Sequence, residues 1–346
     1  MKRDDIIDLI KGIGIIFVYL GHTLPSGSLP FRAIFFVHMP LFFWVSGMVF
    51  DPGRYLSFGA IVKKCVIGLW VPYLFFALVA FAVKFDIQVP LLISRFPTQM
   101  YGLFARGDCV WALWFLVCLA STRVAYFVSY RVGIERNVWT KTLFACGFLV
   151  LAELSMVFLY PYRKAVPLML SSVPAALFFF AIGRWMKPCL GKLRERLARL
   201  SVGLPVCLLS MLLCFGLAMY LPVRNFDLRS GAFSTLGLLP CFAGLLSVMT
   251  FAVLLERVEG RATWIVKSVG QYSLIFFAME SNVSHVFTAI VRACGFDAPE
   301  VWYVVNGMIG LKIGRIVFCL FVVALVAPAI DALVRKIQKK VEGAIR

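Results

Sequence analysis

Long uninterrupted apolar segments constrain this chain more than any other feature. Examples are IIFVYL, LFFWVSGMVF, LWVPYLFFALVAFAV and IVFCLFVVALVAPAI, each within an apolar stretch approaching the roughly 20 residues that a membrane-spanning helix needs. Apolar residues make up 62% of the chain and charged residues 15%, whereas a soluble domain has about 45–50% and about 25%. The chain is therefore predicted to be a polytopic membrane protein.

We expect an all-α bundle of about ten transmembrane helices. Ten spans use roughly 200 of the residues and leave about 150 for connections, so no large soluble domain fits. Residues 1–346 are therefore expected to form a single transmembrane domain. The predicted spans are 6–24, 33–50, 61–83, 110–129, 142–160, 166–186, 203–221, 232–255, 264–290 and 307–331.

The distribution of basic residues predicts the orientation. A net charge of +18 would suggest nucleic acid binding in a soluble chain, but cytoplasmic loops of membrane proteins are enriched in Lys and Arg. With the N-terminus inside, 22 of the 35 basic residues fall on the cytoplasmic side, nine fall outside and four lie within spans. We therefore expect a multi-pass protein of the plasma or inner membrane, with both termini cytoplasmic and no nucleic acid partner.

Two further patterns concern the inner and outer surfaces. Residues 187–201 place leucines on one helical stripe and basic side chains elsewhere, which predicts a helix in the inner interface that binds anionic lipid or phosphate.

The ten cysteines form no CxxC motif and no zinc spacing, so we interpret most of them as small buried hydrophobic residues. Cys109 and Cys294 lie near the predicted outer surface, where a disulfide is possible in an oxidising compartment.

The first predicted span carries three polar side chains that are costly in a bilayer. Asp8 lies one turn from Lys11 and can pair with it. Lys11 and His22 are eleven positions apart, so on a helix their side chains point within about 20° of the same direction. Their separation along the helix axis is roughly 16 Å. His38, in the second span, is expected at the depth of His22. Each histidine alone is equally well explained as an interfacial residue bonded to a carbonyl, but the two together favour proton transfer.

Charged residues also lie in later spans. Lys312 and Arg315 share a helix face beside Gly310 and Gly314, which we expect to allow a close helix approach. Glu280 or Glu153 could neutralise them, either in a functional site or in a packing salt bridge. Trp114, at the predicted outer start of the fourth span, is more typical of an aromatic belt than of a ligand platform.

Sequence motifs of soluble hydrolases, nucleotide-binding proteins and zinc enzymes are absent, and no metal centre is expected with only three histidines. Transfer of an acyl group to a hydroxyl needs none of these motifs. A histidine base that accepts the hydroxyl proton and a cation near the carbonyl oxygen supply the two catalytic groups that this transfer requires. The polar residues of the first two spans are therefore compatible with acyl transfer.

Several motifs resemble the acyltransferase 3 family, particularly its fucose 4-O-acetylase-like branch. They are Asp8-Leu-Ile-Lys11-Gly12, Val18-Tyr-Leu-Gly21-His22, Phe36-Val-His38-Met-Pro-Leu-Phe-Phe43 and Val45-Ser-Gly47-Met-Val-Phe50, with weaker matches at 111–116, 173–183 and 270–274. The resemblance implies a membrane protein of about ten helices that moves acyl groups, commonly acetyl, onto sugar hydroxyls of cell-surface glycans and glycolipids.

The resemblance also implies roles for particular residues. His22 is the expected general base, with His38 as the second candidate, and acetyl-CoA is the expected donor co-substrate rather than a tightly bound cofactor. Donor phosphates are expected at basic inner residues: Lys63, Lys64 and Arg184. The saccharide or glycolipid acceptor and the remainder of the donor are expected at Asp8, Lys11, Ser46, Trp114, Glu153, Glu280, Lys312 and Arg315.

Two positions depart from the family's pattern. Many members have Arg where this chain has Lys11, which removes a bidentate grip but keeps the charge. The family often has a histidine seven positions after the serine that matches Ser273, and this chain has Glu280 there.

The alternative functional class is a transporter or flippase for a saccharide or small molecule in polysaccharide export, because buried charges can also line a passage. The sequence leaves the acceptor, the acyl chain and the oligomeric state open.

Overall fold

Helices account for every regular element in the residues that the structure describes. This computed structural model describes residues 4–84, 102, 113–159, 161–162, 166–221, 228, 233–258, 260–304 and 306–345. The α-helices are α1 (Asp5–Gly21), α2 (Leu29–Val49), α3 (Phe58–Cys65), α4 (Val71–Lys84), α5 (Trp114–Val132), α6 (Val138–Phe158), α7 (Val173–Met186), α8 (Leu190–Leu197), α9 (Leu200–Tyr220), α10 (Leu238–Glu256), α11 (Arg261–Gln271), α12 (Ser273–Ala293) and α13 (Ile309–Ala344). A π-helical turn, Val66–Trp70, joins α3 to α4, and 3₁₀ turns occur at Pro52–Arg54, Pro167–Met169, Lys187–Cys189 and Thr235–Gly237. The all-α prediction is confirmed.

Nine helical stretches in the described part of the chain are long and apolar enough to cross a membrane. Helix α1 has 17 residues, which is close to the lower limit of about 17 for a spanning helix. Together these ten stretches correspond to the ten predicted spans. The side of the membrane on which the termini lie stays a prediction.

Two of the predicted spans differ from the observed helices. The ninth is broken at Tyr272 into α11 and α12, because the backbone there leaves the helical region (φ −102, ψ 22). The tenth continues as α13 to Ala344, beyond its predicted end at 331. Hydropathy detects only the apolar part of such a helix, whereas Lys, Gln, Glu and Ala have high helix propensity and extend it into the polar region.

Glycines allow two pairs of helices to approach closely. A Cβ atom on Gly12 would meet the carbonyl oxygen of Val266, and one on Gly270 would meet that of Asp8, so α1 and α11 pack backbone to backbone. The same relation joins α2 and α7 through Gly47 and Gly183. Small residues at helix crossings have this role in membrane proteins.

The expected close approach at Gly310 and Gly314 was wrong. A Cβ on Gly310 would meet no atom within 4 Å, and one on Gly314 would make an ordinary contact with Phe287. Small residues permit a close approach, but the faces on which neighbouring helices pack decide whether one occurs.

An aromatic cluster fills the core beside α1. Phe43 and Phe115 lie 4.9 Å apart between ring centroids, and Phe115 also contacts Phe277 at 5.6 Å. Trp114 is 4% exposed and lies against Phe43. It is therefore a core residue, and its interpretation as part of an interfacial aromatic belt was wrong, because α5 turns that face inward.

Six of the nine described cysteines are buried, as expected of small hydrophobic residues. The exposed ones are Cys146, Cys189 and Cys294. Cys109 lies outside the described residues, so its pairing with Cys294 stays a prediction.

Short ion pairs join α1 to α11 and α8 to α10. Lys267 Nζ lies 2.6 Å from an Asp5 carboxylate oxygen, and Arg194 on α8 donates to Glu256 at 2.5 and 2.9 Å. Helix formation after residue 187 is confirmed, but α8 ends at Leu197 and Leu200 begins the next helix. Arg194 therefore binds a carboxylate of the protein itself.

Candidate active site

The polar residues of α1 meet polar residues of α12 and α13 at one end of the bundle. His22 caps the C-terminus of α1, Glu280 lies in α12 and Arg315 in α13. Glu280 and Arg315 are almost fully buried, with 4% of each side chain exposed, whereas 32% of the His22 side chain is exposed. The cluster thus consists of a buried ion pair and an accessible imidazole.

One carboxylate connects the other two side chains. Arg315 Nη1 donates to Glu280 Oε1 at 3.1 Å, and His22 Nδ1 lies 3.1 Å from Glu280 Oε2. A buried carboxylate with a guanidinium partner remains ionised, since each charge compensates the other. An ionised carboxylate only accepts hydrogen bonds, so His22 Nδ1 carries a proton and donates it.

This hydrogen bond defines the chemistry available to His22. When Nδ1–H donates to Glu280, the other ring nitrogen, Nε2, keeps its lone pair in the neutral ring. An imidazole oriented by a carboxylate can accept a proton at Nε2 and be stabilised as imidazolium, as in catalytic triads. The arrangement can therefore perform general base catalysis.

Further hydrogen bonds hold Arg315 in place. Its Nη1 also donates to Ser284 Oγ at 2.6 Å, and its Nη2 donates to the Thr23 hydroxyl and to the carbonyl of Tyr19. The Tyr19 hydroxyl in turn donates to the carbonyl of Phe276 at 2.9 Å. These contacts join α1, α12 and α13 around Glu280.

The supporting hydroxyls were missed by sequence reasoning. Thr23, in the turn after α1, and Ser284, in α12, are ordinary polar residues, and nothing in their local sequence marks them. The available signal was the spacing of Ser284, one turn after Glu280, which puts both on one face of α12. Helix packing alone reveals that Arg315 reaches that face.

His38 is bound to its own helix. Its Nδ1–H donates to the carbonyl of Ile34 at 2.9 Å, its ring packs edge-on against Phe35 at 4.8 Å, and 5% of the residue is exposed. The prediction that His38 lies at the depth of His22 stays a prediction. Of the two histidines, only His22 has a carboxylate partner in the described residues.

Predicted residues nearer the other end of α1 lie apart from this cluster. Asp8 is buried against α11, and Lys11 is partly exposed on α1. Their pairing and their part in binding substrate stay predictions. Lys312 is buried and lies one turn before Arg315 in α13, so the two share a helix face as predicted.

The two glutamates proposed to neutralise the cations of α13 have different partners. Glu280 binds Arg315, whereas Glu153 Oε1 accepts from the backbone N–H of Thr235 at 2.7 Å. Glu153 therefore holds the turn before α10. Ser46 is partly exposed on α2 and Trp114 lies in the core, and their substrate contacts stay predictions.

The three residues expected at donor phosphates lie outside the His22 cluster. Arg184 donates to Glu135 at 3.0 Å and to the carbonyl of Phe50 at 3.2 Å, so it already has protein partners. Lys63 donates to the carbonyl of Ile345 at 3.4 Å, and Lys64 is exposed. In the described ranges, no three metal-binding side chains lie together.

Comparison with known proteins assigns the chain to a family. A family model for acyltransferase 3, described as an acyltransferase domain, matches residues 4–311. The protein belongs to the acyltransferase 3 family. It is thus a membrane acyltransferase, and the resemblance of its motifs is confirmed. No curated protein and no solved structure matches the chain in the same comparisons.

The matched range contains part of the His22 cluster. His22 and Glu280 both lie inside the matched range, whereas Arg315 lies four residues beyond its end at 311. The cluster therefore combines residues of the matched domain with a cation from the following part of α13. Acyl transfer to an oxygen requires a base for the hydroxyl proton, and this acyltransferase has an oriented imidazole.

Proposed function

We propose that this protein transfers an acetyl group from cytoplasmic acetyl-CoA to a hydroxyl of a cell-surface or lipid-linked saccharide, with His22 as general base. The hydrogen bond from His22 Nδ1 to Glu280 is the single observation that carries the proposal. It leaves Nε2 of a partly exposed ring free to accept a proton. The family supplies the reaction class, acyl transfer.

In the proposed reaction, His22 Nε2 accepts the proton of the acceptor hydroxyl as its oxygen attacks the thioester carbonyl. Glu280 stabilises the resulting imidazolium, and Arg315 keeps Glu280 ionised and in position. Collapse of the tetrahedral intermediate breaks the C–S bond, and His22 returns the proton to the leaving thiolate. The products are the O-acetyl ester and free CoA, and His22 is neutral again.

Lys11 has a separate role in the proposal. It lies on α1 roughly 16 Å from His22 along the helix axis, too far for both side chains to contact one carbonyl. We therefore assign Lys11 to a more remote part of the donor. His38 is assigned to holding the acceptor, since its Nδ1–H is bonded to its own backbone and only Nε2 remains as an acceptor.

The experiment is acetyl transfer from isotopically labelled acetyl-CoA in membranes that contain the protein. Label in an extracytoplasmic glycan supports the enzyme, whereas movement of an unmodified saccharide across the membrane would support the transporter alternative. His22→Ala is expected to abolish transfer at unchanged protein amount. If His22→Ala retains normal transfer and His38→Ala loses it, the base is His38 and the assignment to His22 is wrong.

A further inference from the structure

Three aromatic rings form a row that ends beside His22. The rings of Tyr303 and Phe31 stack with their centroids 6.3 Å apart, and those of Phe31 and Phe35 stack at 4.1 Å. Phe31 and Phe35 lie one turn apart in α2, whereas Tyr303 belongs to the segment between α12 and α13. Parts of the chain that are far apart in sequence therefore build one aromatic row.

Phe35 brings this aromatic row to the end of α1 that carries His22. A Cβ atom on Gly21, the residue before His22, would lie 3.4 Å from an edge carbon of the Phe35 ring. The same ring packs edge-on against His38, with the ring centroids 4.8 Å apart. Phe35 therefore contacts both the helix end of the proposed base and the histidine assigned to the acceptor.

Hydrogen bonds fix the Tyr303 end of the row to the bundle. The backbone N–H of Ser26, in the turn between α1 and α2, donates to the carbonyl of Tyr303. The neighbouring Trp302 is 2% exposed, and its indole N–H donates to the Thr288 hydroxyl at 3.0 Å. The segment that carries Tyr303 is therefore anchored both to α12 and to the turn that follows α1.

The two ends of the row are accessible, whereas its middle is not. Phe31 is 6% exposed, while Phe35 and Tyr303 are both partly exposed. Residues 294–304 follow the predicted outer end of α12. In the proposed function the saccharide approaches from that side. Two accessible aromatic rings therefore lie on the predicted acceptor side of the bundle.

The chemistry of a sugar matches these surroundings. A pyranose ring has C–H bonds on its faces and hydroxyls around its edge, so a face can pack on an aromatic ring while the edge meets polar groups. A polar group is present next to the aromatic row, since 32% of the His22 side chain is exposed. A lipid chain has no polar edge and gains nothing from an imidazole beside an apolar surface. The observations therefore favour a saccharide over a lipid.

We propose that Phe35 and Tyr303 are specificity-determining residues that hold the sugar ring of the acceptor. The inference rests on the proposed function, because it takes the acceptor hydroxyl to be the one that His22 deprotonates. Stacking positions the sugar ring without engaging its hydroxyls, so that one of them remains free for Nε2 of His22. Phe31, which stacks with both rings, fixes their relative position.

The test measures transfer of labelled acetyl groups by the full-length protein in phosphatidylcholine nanodiscs. The acceptor is the extracytoplasmic glycan fraction of cells that lack the protein. Phe35→Leu and Tyr303→Leu keep an apolar side chain but lose the flat face. Each is expected to raise the KM for the glycan by about 2- to 10-fold, with kcat and the KM for acetyl-CoA near their wild-type values. Tyr303→Phe, which keeps the ring, should reverse most of the increase in KM.

Phe158→Leu is the matched control. Phe158 is also an aromatic residue at the predicted outer end of a helix, but it is 64% exposed and its helix, α6, packs against α7. This variant is expected to keep the wild-type KM for the glycan. Tyr303→Leu guards against a folding defect in Phe35→Leu, because the hydrogen bond from Ser26 goes to the backbone of Tyr303 and is kept.

Each outcome decides between the inference and its alternatives. A wild-type KM for the glycan in both leucine variants, while the wild type transfers label, refutes this inference alone. Lower melting temperatures of both variants with an unchanged KM would assign the rings to packing and also overturn it. Label in a membrane lipid instead of a glycan would assign the aromatic row to a lipid acceptor and overturn it as well. Absence of transfer by the wild type would refute the proposed function, and this inference with it.

Discussion

Replacement of Glu280 by glutamine tests the central contact of the site. The change keeps the size of the side chain and an oxygen that can accept from Arg315 Nη1, which now lies 3.1 Å from Oε1. It puts an NH₂ group or a neutral oxygen opposite His22 Nδ1, in place of a charged oxygen at 3.1 Å. With NH₂ in that place, Nδ1 must accept and the proton moves to Nε2, so the imidazole loses its basic nitrogen toward the substrate.

The expected loss in transfer rate is large. General base catalysis contributes about 100- to 10,000-fold, and the wrong tautomer removes most of it. The change also removes the counter-charge of the buried Arg315, which costs up to about 3–5 kcal/mol of stability, although the amide oxygen still accepts a hydrogen bond from it. At equal amounts of folded protein, the variant should be nearly inactive.

The assay compares transfer of labelled acetyl groups at equal amounts of purified, monodisperse protein. Glu153→Gln is the matched control, because Glu153 is also a glutamate of a membrane helix but binds the backbone of Thr235. It should retain a transfer rate close to that of wild type. If Glu280→Gln also transfers at the wild-type rate, then Glu280 does not orient the base and the proposed mechanism is wrong.

Three further predictions concern packing and topology. Gly47→Ala places a Cβ against a backbone carbonyl of α7 and should lower stability by about 1–3 kcal/mol in thermal unfolding. As the control, Gly216→Ala places its Cβ in open space and should leave stability unchanged or raise it by up to about 1 kcal/mol. Equal melting temperatures of the two variants would contradict the close approach of α2 and α7. Tyr19→Phe removes the hydrogen bond that joins α1 to α12 and should lower the free energy of unfolding by about 0.5–1.5 kcal/mol. The rate of acetyl transfer should fall less than about tenfold. An unchanged melting temperature would mean that this hydrogen bond does not contribute to stability. In single-cysteine variants, a membrane-impermeant maleimide should label Cys294 on intact cells and Cys189 only after permeabilisation. Both side chains are exposed, and the charge pattern predicts that they lie on opposite sides of the membrane. The reverse labelling pattern would overturn the predicted orientation.

Much of the architecture was predictable because each span is a local property of the chain. The hydropathy of about 20 residues determines whether a segment crosses a bilayer, so the positions of the long apolar helices in the described residues followed from the sequence. The break at Tyr272 was not predictable in this way, since an apolar average does not register a single backbone bend. The extension of α13 was missed for the related reason that a helix can outlast its apolar part.

The candidate site was only partly predictable. Lys11, His22 and His38 were identifiable because a polar side chain in an apolar segment is conspicuous. The role of Glu280 was not, because its partner His22 lies 258 positions away in the chain.

The sequence by itself determined the class of the protein, its apolar membrane-spanning segments and the polar residues placed within them, since periodicity and hydropathy act within one helix. The sequence left Glu280 and Glu153 as alternative partners for the cations of α13, and the tertiary structure decided that Glu280 binds Arg315. Glu280 binds both His22 and Arg315 because α1, α12 and α13 present these faces to each other at matching heights. That match depends on the rotation and register of whole helices, which are set by contacts such as the glycine crossing of α1 with α11 and leave no pattern in a single segment.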